Sequence, residues 1–462
     1  MNEINNTEEV TNTSPDQQPK EPPTTKTSRL AFLKTKKGMV VCAGIVFLLL
    51  IMGFAIMKIT SSDEKPVSNF KGTQNRSANA TNLGDPNSTD PMTKGLALSN
   101  GQCSGKGPVK LTHSPMDTKD VETIQPMGAM IGGHVTPIDH EYYYQKNQTA
   151  PKDTYPVYAT ADGTITEVSD VNDGTKQALA IKIAHTCTFF TWYNLMTSIT
   201  PEIRNQLPAG WGPGNNGGVK IPVKSGQIIG YVGGQSLDVG IWNTEKPLKG
   251  LLNRTAYNNS EPWKIVTVPA LDYYTSAVKA DVLQRYVRTA GPRDGKIDYD
   301  IKGKAVGTWF LVGTNGYAGT TNNDGKGAPY VSHLSLAYDS VDPKALTFSI
   351  GDYQGQPTQF SVKGSVDWAK MTKTSGITKV ELAQRQWVTG TGEQWRGQYA
   401  TGIKLLAGPS QATVLIQMTA DDMMKIEVFP GKTPAQVPDF TPAAKTYDRG
   451  QNSQMIKSTT AT

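Results

Sequence analysis

The sequence predicts a mainly β protein in which two β-rich regions follow a single N-terminal transmembrane helix. Three observations lead to this class. Beyond position 108 the apolar residues come in short runs broken by Gly and Asp turn signals, which is typical of antiparallel sheets. Charged residues make up only 19% of the 462-residue chain, while glycine is plentiful at 45 residues, a mix that suits extracytoplasmic β domains. One long uncharged apolar stretch lies near the N-terminus.

That apolar stretch predicts a membrane anchor. Residues 39–58 form the predicted transmembrane helix, and residues 1–38 form a polar, disordered tail. At about 1.5 Å per residue the uncharged run reaches roughly 28 Å, close to the hydrocarbon thickness of a bilayer. Lys34, Lys36 and Lys37 precede the span, which predicts a cytoplasmic N-terminus and extracytoplasmic C-terminal domains in a single-pass protein of the cell membrane.

The segments around the folded part are polar. Residues 59–108 are rich in Ser, Thr, Asn and Gly and predict a flexible extracytoplasmic linker, and residues 451–462 predict a disordered tail. Of the three cysteines, Cys42 lies in the predicted span. Cys103 and Cys187 either form one disulfide or remain free thiols. The net charge of +6 is spread along the chain without a basic stripe, so no nucleic-acid partner is expected.

The folded part divides into two predicted domains. Residues 109–268 carry short strands and turns with hardly any helical period, which predicts an antiparallel β domain. Residues 269–450 form a second β-rich domain after a possible helix at 270–287, and we expect a β-barrel or β-sandwich. In this second domain Gly307-Thr308-Trp309 resembles the Gly-x-Trp element that opens a lipocalin barrel. Either the domain is a ligand-carrying barrel, or Trp309 is an ordinary core aromatic.

A cluster of histidines is the strongest lead to function. Two of the chain's five histidines, His134 and His140, stand within seven residues, with Asp139 between them. Imidazole and carboxylate at short spacing are the groups that a zinc site or a general acid–base site needs. Three tyrosines follow at 142–144. Together with Trp192 they either line a groove for a glycan or peptide, or pack alternately into the core.

Four segments of the first β domain resemble the LytM/lysostaphin-type zinc endopeptidases of peptidoglycan. They are, in chain order, residues 155–165 (YPVYATADGTI), 180–185 (AIKIAH), 191–195 (TWYNL) and 223–233 (VKSGQIIGYVG). The resemblance implies that family's β fold and peptidoglycan as a partner.

The resemblance also implies a set of zinc ligands. The family's ligand positions match His134, Asp139 and Asp238, with His140 as an alternative ligand. The family has its His and Asp four positions apart on one strand, whereas here they are five apart. Strand alternation would then place them on opposite faces unless Pro137 introduces a bulge. Two carboxylates in place of one would also weaken the metal as a Lewis acid, so zinc is expected to bind weakly or not at all.

The family's two catalytic imidazoles correspond to Asn194 and Ser236, which leaves no catalytic residue in this chain. Losing one positioned acid–base group typically costs about 10²–10⁴ in rate. The sequence therefore predicts a degenerate, non-hydrolytic domain that binds or organises at the cell envelope. One alternative is an active metal-dependent peptidoglycan endopeptidase that uses His134, Asp139 and Asp238. A second alternative is a ligand-binding β-barrel carrier.

Overall fold

The computed structural model describes residues 84–170, 178–258, 260–319 and 329–450. The predicted cytoplasmic tail, transmembrane helix and C-terminal tail lie outside these ranges. Within them, no helix combines the length and the apolar character needed to cross a membrane.

The N-terminal part of the described chain contains ten strands and three short α-helices. The strands are β1 (Val121–Gln125), β2 (Glu141–Gln145), β3 (Tyr155–Tyr158), β4 (Gly163–Asp170), β5 (Leu179–Ala184), β6 (Phe189–Met196), β7 (Ser198–Ile199), β8 (Asn216–Val223), β9 (Ile228–Val232) and β10 (Leu237–Asn243). The α-helices are α1 (Pro91–Leu98), α2 (Pro201–Arg204) and α3 (Ser276–Leu283). Three 3₁₀ helices also occur here, at Arg254–Tyr257, Pro262–Val266 and Ala270–Asp272. The predicted helix at 270–287 is thus a 3₁₀ turn followed by the shorter α3.

These strands form two antiparallel sheets. Seven strands pair in the order β1-β2-β10-β6-β5-β4-β8, and β3, β9 and β7 form a small second sheet. Side chains alternate along β10, where Leu237, Val239 and Ile241 enter the main hydrophobic core. Asp238 and Gly240 therefore lie on the opposite side, which we call the outer face of the seven-stranded sheet.

The C-terminal part contains eight strands. They are β11 (Gly307–Leu311), β12 (His333–Tyr338), β13 (Leu346–Tyr353), β14 (Gln356–Lys363), β15 (Thr378–Val388), β16 (Lys404–Ala420), β17 (Met423–Pro430) and β18 (Lys445–Asp448). Four 3₁₀ helices connect them, at Gly316–Ala318, Pro329–Ser332, Lys373–Ser375 and Pro434–Gln436. Each strand pairs with the next, and β18 returns to β11, so the sheet is a closed barrel. The mainly β, antiparallel class predicted from the sequence is confirmed.

The Gly307-Thr308-Trp309 element begins strand β11 and is buried. Gly307 has φ +121°, and a Cβ there would overlap the Asp300 carboxylate, so only glycine fits. The Arg449 guanidinium lies 3.8 Å from the centroid of the Trp309 ring, and its Nη1 donates to Asp300 Oδ1 at 2.6 Å. Further Arg449 donors reach the carbonyls of Lys304, Val306 and Thr308. The three-residue element is therefore structural, because buried contacts with Asp300 and Arg449 hold it in place.

Side chains fill the interior of the barrel. Trp309, Phe348, Phe360 and Trp368 belong to one buried apolar cluster that draws residues from most of the strands. An eight-stranded barrel has an interior just wide enough for side chains to fill, or for one small ligand. In this barrel the side chains take that space.

The two β regions share a buried apolar cluster. Phe190 and Trp242, from the seven-stranded sheet, pack together with Phe310 and Tyr317, from the barrel region. The domain boundary between 268 and 269 stays a prediction. The shared cluster nevertheless holds the barrel against part of the sheet's outer face.

A helix and a disulfide order the end of the predicted flexible linker. Gly95 of α1 lies so close to the Cys187 carbonyl that a Cβ would overlap it. Cys103 and Cys187 form a disulfide, so they are not free thiols. The linker prediction is therefore wrong for residues 84–108. A polar composition says nothing about a cross-link to the distant turn between β5 and β6 that contains Cys187.

Acid is expected to destabilise the barrel through His333. Its imidazole is only 3% exposed, and its Nε2–H donates to the Tyr317 carbonyl at 2.9 Å. Burial lowers the pKa of His333 to about 4 from an ordinary value of 6.5. The neutral form is thus favoured in the folded state, so its stability contribution is full above pH 6.5 and is lost as the pH falls toward 4. The loss reaches about 3 kcal/mol.

Urea unfolding at a series of pH values measures this contribution. We expect the free energy of unfolding of the His333→Gln variant to fall less steeply than that of the wild type between pH 6.5 and pH 4. Equal slopes for the two proteins would contradict the assignment.

Candidate functional site

The candidate site lies on the outer face of the seven-stranded sheet. Asp238 on β10 is aligned with Tyr142 on β2 and with Asn194 on β6, so the three form one row across adjacent strands. Their sequence neighbours Tyr143 and Tyr193 belong to the core on the other side. The alternation of the sheet therefore brings residues from three distant segments together on the outer face.

The histidine cluster reaches this row from a loop. Residues 131–140 precede β2 and form turns, with Ile131 and His134 joined by an isolated bridge. The expectation that strand alternation separates His134 from Asp139 is therefore wrong, because neither residue lies in a strand. His134 is exposed, whereas Asp139 and His140 are buried.

Two side chains of the barrel hold this loop in place. Arg385 Nη1 donates to the Met130 carbonyl at 2.8 Å, and its Nη2 pairs with Asp339 at 2.7 Å. Gln359 Nε2 donates to the Gly132 carbonyl at 3.0 Å. The wall of the barrel thus positions the loop that carries the candidate site.

Four buried ionisable groups form a chain along the outer face. Lys264 Nζ lies 3.6 Å from Asp139 Oδ1, and the same oxygen accepts a hydrogen bond from His140 Nδ1 at 3.1 Å. His140 Nε2 then lies 3.6 Å from Asp238 Oδ2. Lys264 also lies 3.5 Å from Glu261 Oε2. We call Lys264, Asp139, His140 and Asp238 the charge chain.

Basic and acidic groups alternate along the charge chain. Burial acts to raise the pKa of Asp139, but the Lys264 ammonium and His140 outweigh it and hold that pKa well below its usual range. Burial acts to lower the pKa of His140, yet Asp238 and Asp139 raise it overall. Burial raises the pKa of Asp238 to about 7, with His140 opposing the shift. Asp139 is therefore a carboxylate compensated from two sides.

The predicted ligands do not fit a zinc ion. A zinc site needs three protein ligands that converge within about 2.0–2.2 Å of one point. Among the described ranges, no group of three or more His, Cys, Asp or Glu side chains is placed to hold a metal. Asp139 faces the Lys264 ammonium, whose positive charge repels a second cation, and the rings of His134 and His140 are 6.3 Å apart. We therefore assign no zinc-dependent step to this site.

Asn194 and Ser236 both face Asp238. The Asn194 side chain hydrogen-bonds this carboxylate, and Ser236 Oγ lies 3.5 Å from its Oδ1. An amide does not titrate, and a serine hydroxyl does not exchange protons near neutral pH as an imidazole does. These two positions therefore support Asp238 and offer no general acid or base.

Half-buried aromatic rings surround the charge chain. Tyr143 packs into the core, while Tyr142 and Tyr144 stack on the outer face with ring centroids 6.0 Å apart. The His140 ring lies 5.1 Å from that of Tyr142 and 5.5 Å from that of Trp192. The expected alternation is therefore seen along β2, with Tyr143 in the core and Tyr142 and Tyr144 on the outer face, and a groove for a ligand stays a prediction. We call Tyr142, Tyr144 and Trp192 the aromatic patch.

Sequence reasoning missed Lys264 and Glu261. Lys264 sits in the 3₁₀ helix Pro262–Val266 and is only 3% exposed. The available signal was a lone lysine among the apolar residues of that segment. A lysine buried in such surroundings needs an acidic partner. Of its two acidic neighbours, Asp139 is buried and Glu261 is half-buried.

His185 makes structural contacts. Its two ring nitrogens hydrogen-bond the Asp162 carbonyl at 2.8 Å and Thr191 Oγ1 at 2.7 Å, across the turn between β5 and β6. It takes no part in the charge chain.

Comparison with solved structures finds similarity at low identity. A zinc-containing peptidase from Vibrio cholerae is 19% identical, with a TM-score of 0.20, over 30% of this chain and 39% of the peptidase. The antimicrobial peptidase lysostaphin from Staphylococcus simulans is 13% identical, with a TM-score of 0.22, over 67% of this chain and 99% of lysostaphin. CbpA from L. salivarius REN is 13% identical, with a TM-score of 0.16, over 28% of this chain and 66% of CbpA.

No family model matches the chain, and no curated protein matches it. The chain spans about 39% of the length of the Vibrio peptidase. Similarity of this size is a likeness of structure and does not define an activity, a substrate or a metal for this chain.

Proposed function

We propose that this chain is a membrane-anchored, extracytoplasmic protein that binds peptidoglycan without hydrolysing it. The observation that carries the proposal is the buried Lys264 ammonium 3.6 Å from Asp139, the carboxylate at a zinc-ligand position of the LytM family. A fixed internal cation supplies the positive charge that a metal would otherwise bring. The site would then keep its buried charges in place without the zinc ion that acts as the Lewis acid in the LytM family.

The replacement of the family's two catalytic imidazoles supports the same proposal. Hydrolysis of an amide needs an activated water and a group that passes a proton to the leaving nitrogen. Asn194 and Ser236 stand where the family has imidazoles, and both are committed to Asp238. Lacking both imidazoles and a fitting metal, the site can hold a wall fragment but lacks the means to cleave it.

The aromatic patch supports binding. Tyr142, Tyr144 and Trp192 are each half-buried, so each keeps some contact with solvent. Such rings offer apolar area with a polar edge, which suits the faces of sugar rings and the peptide stems of the wall. The amide of Asn194 and the hydroxyl of Ser236, also half-buried, stand beside them and can donate or accept hydrogen bonds.

Anchoring and compartment are part of the proposal. The apolar run at 39–58 would tether the chain, and Cys103 and Cys187 would face the oxidising side of the membrane. The disulfide between them supports this, because such bonds persist mainly outside the reducing cytoplasm. The filled interior of the barrel favours a scaffold that steadies the site loop over a carrier for small ligands.

Removing one ring of the aromatic patch is expected to weaken wall binding at least tenfold. Aromatic anchors at binding sites are commonly worth about 2 kcal/mol or more, and about 1.4 kcal/mol corresponds to a factor of ten. The test is co-sedimentation of the full-length chain, in detergent, with purified peptidoglycan sacculi. Trp192→Ala and Tyr142→Ala are compared with the wild type.

Tyr399→Ala is the matched control, because Tyr399 is an exposed tyrosine at 39% and lies outside the patch. It should sediment like the wild type. Equal binding by the wild type and the two patch variants would refute the assignment of the binding face.

A further inference from the structure

Three side chains of the site form a compact reactive group. Lys264 Nζ lies 3.6 Å from Asp139 Oδ1 and 3.5 Å from Glu261 Oε2. The Lys264 side chain is 4% exposed and that of Asp139 is 9% exposed. The ring of Tyr317 lies 5.3 Å from Nζ and covers the group on one side. The amine of Lys264 and the carboxyl group of Asp139 are thus held together out of water, and the half-buried carboxyl group of Glu261 lies beside the amine.

We propose that Lys264 and Asp139 condense into an intramolecular isopeptide bond, with Glu261 as the acid–base residue. The bond would join the loop before β2 to the 3₁₀ helix Pro262–Val266. The ion pair between Lys264 and Asp139 is the precursor of this bond, and the amide would leave Asp139 without a carboxylate to offer a metal. The inference therefore rests on the proposed non-metal role of Asp139.

The reaction balances without an added reagent. The Lys264 ammonium first gives a proton to the Asp139 carboxylate, which leaves a neutral amine and a neutral acid. This step is uphill, because the ammonium itself holds the pKa of Asp139 low. The amine nitrogen then attacks Asp139 Cγ, and Glu261 takes the second proton from that nitrogen. The C–N bond forms, Glu261 returns the proton to the departing hydroxyl, and the C–O bond breaks to release water. Nothing is oxidised or reduced.

His140 is placed to assist the attack. Its Nδ1–H donates to Asp139 Oδ1, the oxygen that gains negative charge when the nitrogen adds to Cγ. A donor fixed at that oxygen stabilises the tetrahedral intermediate, as in an oxyanion hole. The other oxygen of Asp139 is then the one that leaves as water.

Proximity and burial both favour the bond. Reacting groups held near contact gain effective molarities of about 10⁵–10⁸ M. Lys264 Nζ lies 3.6 Å from Asp139 Oδ1, the oxygen bonded to the Cγ that the amine would attack. Condensation also replaces two buried charges with a neutral amide, which removes their desolvation cost.

Intact-mass measurement of the full-length chain, after reduction of the disulfide, tests the proposal. We expect a mass lower than the sequence mass by one water. Protease digestion should then yield a branched peptide in which Lys264 is joined to Asp139. A full sequence mass would overturn the proposal. So would a one-water deficit confined to a linear peptide around Asp139, which indicates a cyclic imide.

Glu261→Gln separates the acid–base residue from the bond itself. Glutamine keeps the shape but cannot relay the proton, so this variant should have its full sequence mass. Glu202→Gln, an exposed position on α2, should keep the deficit. A cross-link that persists in Glu261→Gln would overturn the role of Glu261. If that variant does not fold, the wild-type mass and branched peptide alone decide whether the bond exists. A failed mass test leaves the wall-binding assays untouched, so the two proposals fail separately.

Discussion

Replacing Lys264 with methionine is expected to lower the free energy of unfolding by about 3–5 kcal/mol. Breaking a buried pair by removing one partner costs about this much, because the other charge is left without compensation. Without Lys264, neither the ion pair nor the proposed amide bond can exist. Asp139, which is 7% exposed, is then left as a buried charge that keeps His140 as its neighbour of opposite charge among the described residues. The measurement is urea unfolding at pH 7 followed by tryptophan fluorescence.

Two comparisons show whether the loss comes from the unpaired charge. The double variant Lys264→Met/Asp139→Asn removes both charges and should recover much of the lost stability. Lys432→Met, at an exposed position in the barrel region, should stay within about 0.5 kcal/mol of the wild type. A loss for Lys264→Met no larger than that of Lys432→Met would mean that Lys264 does not compensate Asp139.

Removing the disulfide is expected to cost about 4–5 kcal/mol. The bond between Cys103 and Cys187 closes a loop with a sequence separation of 84 residues. The chain-entropy estimate for a loop of that size gives this magnitude, because the cross-link restricts the unfolded chain. The variant is Cys103→Ser/Cys187→Ser, measured by urea unfolding in detergent without a reductant.

Cys42→Ser is the matched control for that variant, because it removes the third cysteine and leaves the bridge intact. It should unfold at the wild-type midpoint. Adding a reductant should shift the wild type toward the double variant and leave the double variant unchanged. Identical midpoints for the double variant and the wild type would show that the bridge does not stabilise the fold.

The fold class was predictable because it depends on local patterns. Period-two alternation and Gly turns mark strands wherever they occur, so two β regions could be predicted. The choice between barrel and sandwich was not predictable. It depends on the pairing of β18 with β11, two strands far apart in sequence whose local patterns do not encode their partners.

The candidate site was half predictable. Asp139 and His140 stand out by residue type and spacing. Asp238 was predicted only from the resemblance to the LytM family. The spacing argument for His134 failed because Gly132, Gly133 and Pro137 lie in a loop of turns, where the alternation of a strand does not apply. Lys264 comes from a distant 3₁₀ helix, and only the tertiary fold brings it to Asp139.

One sedimentation experiment tests the central claim most directly. The full-length chain is incubated with peptidoglycan sacculi in zinc chloride and, separately, in EDTA. Bound protein is measured in the pellet and soluble wall fragments are measured in the supernatant. We expect equal binding in both conditions and no release of fragments in either. Fragments released with zinc, and abolished both by EDTA and by Asp139→Ala, would contradict the account and establish a metal-dependent hydrolase.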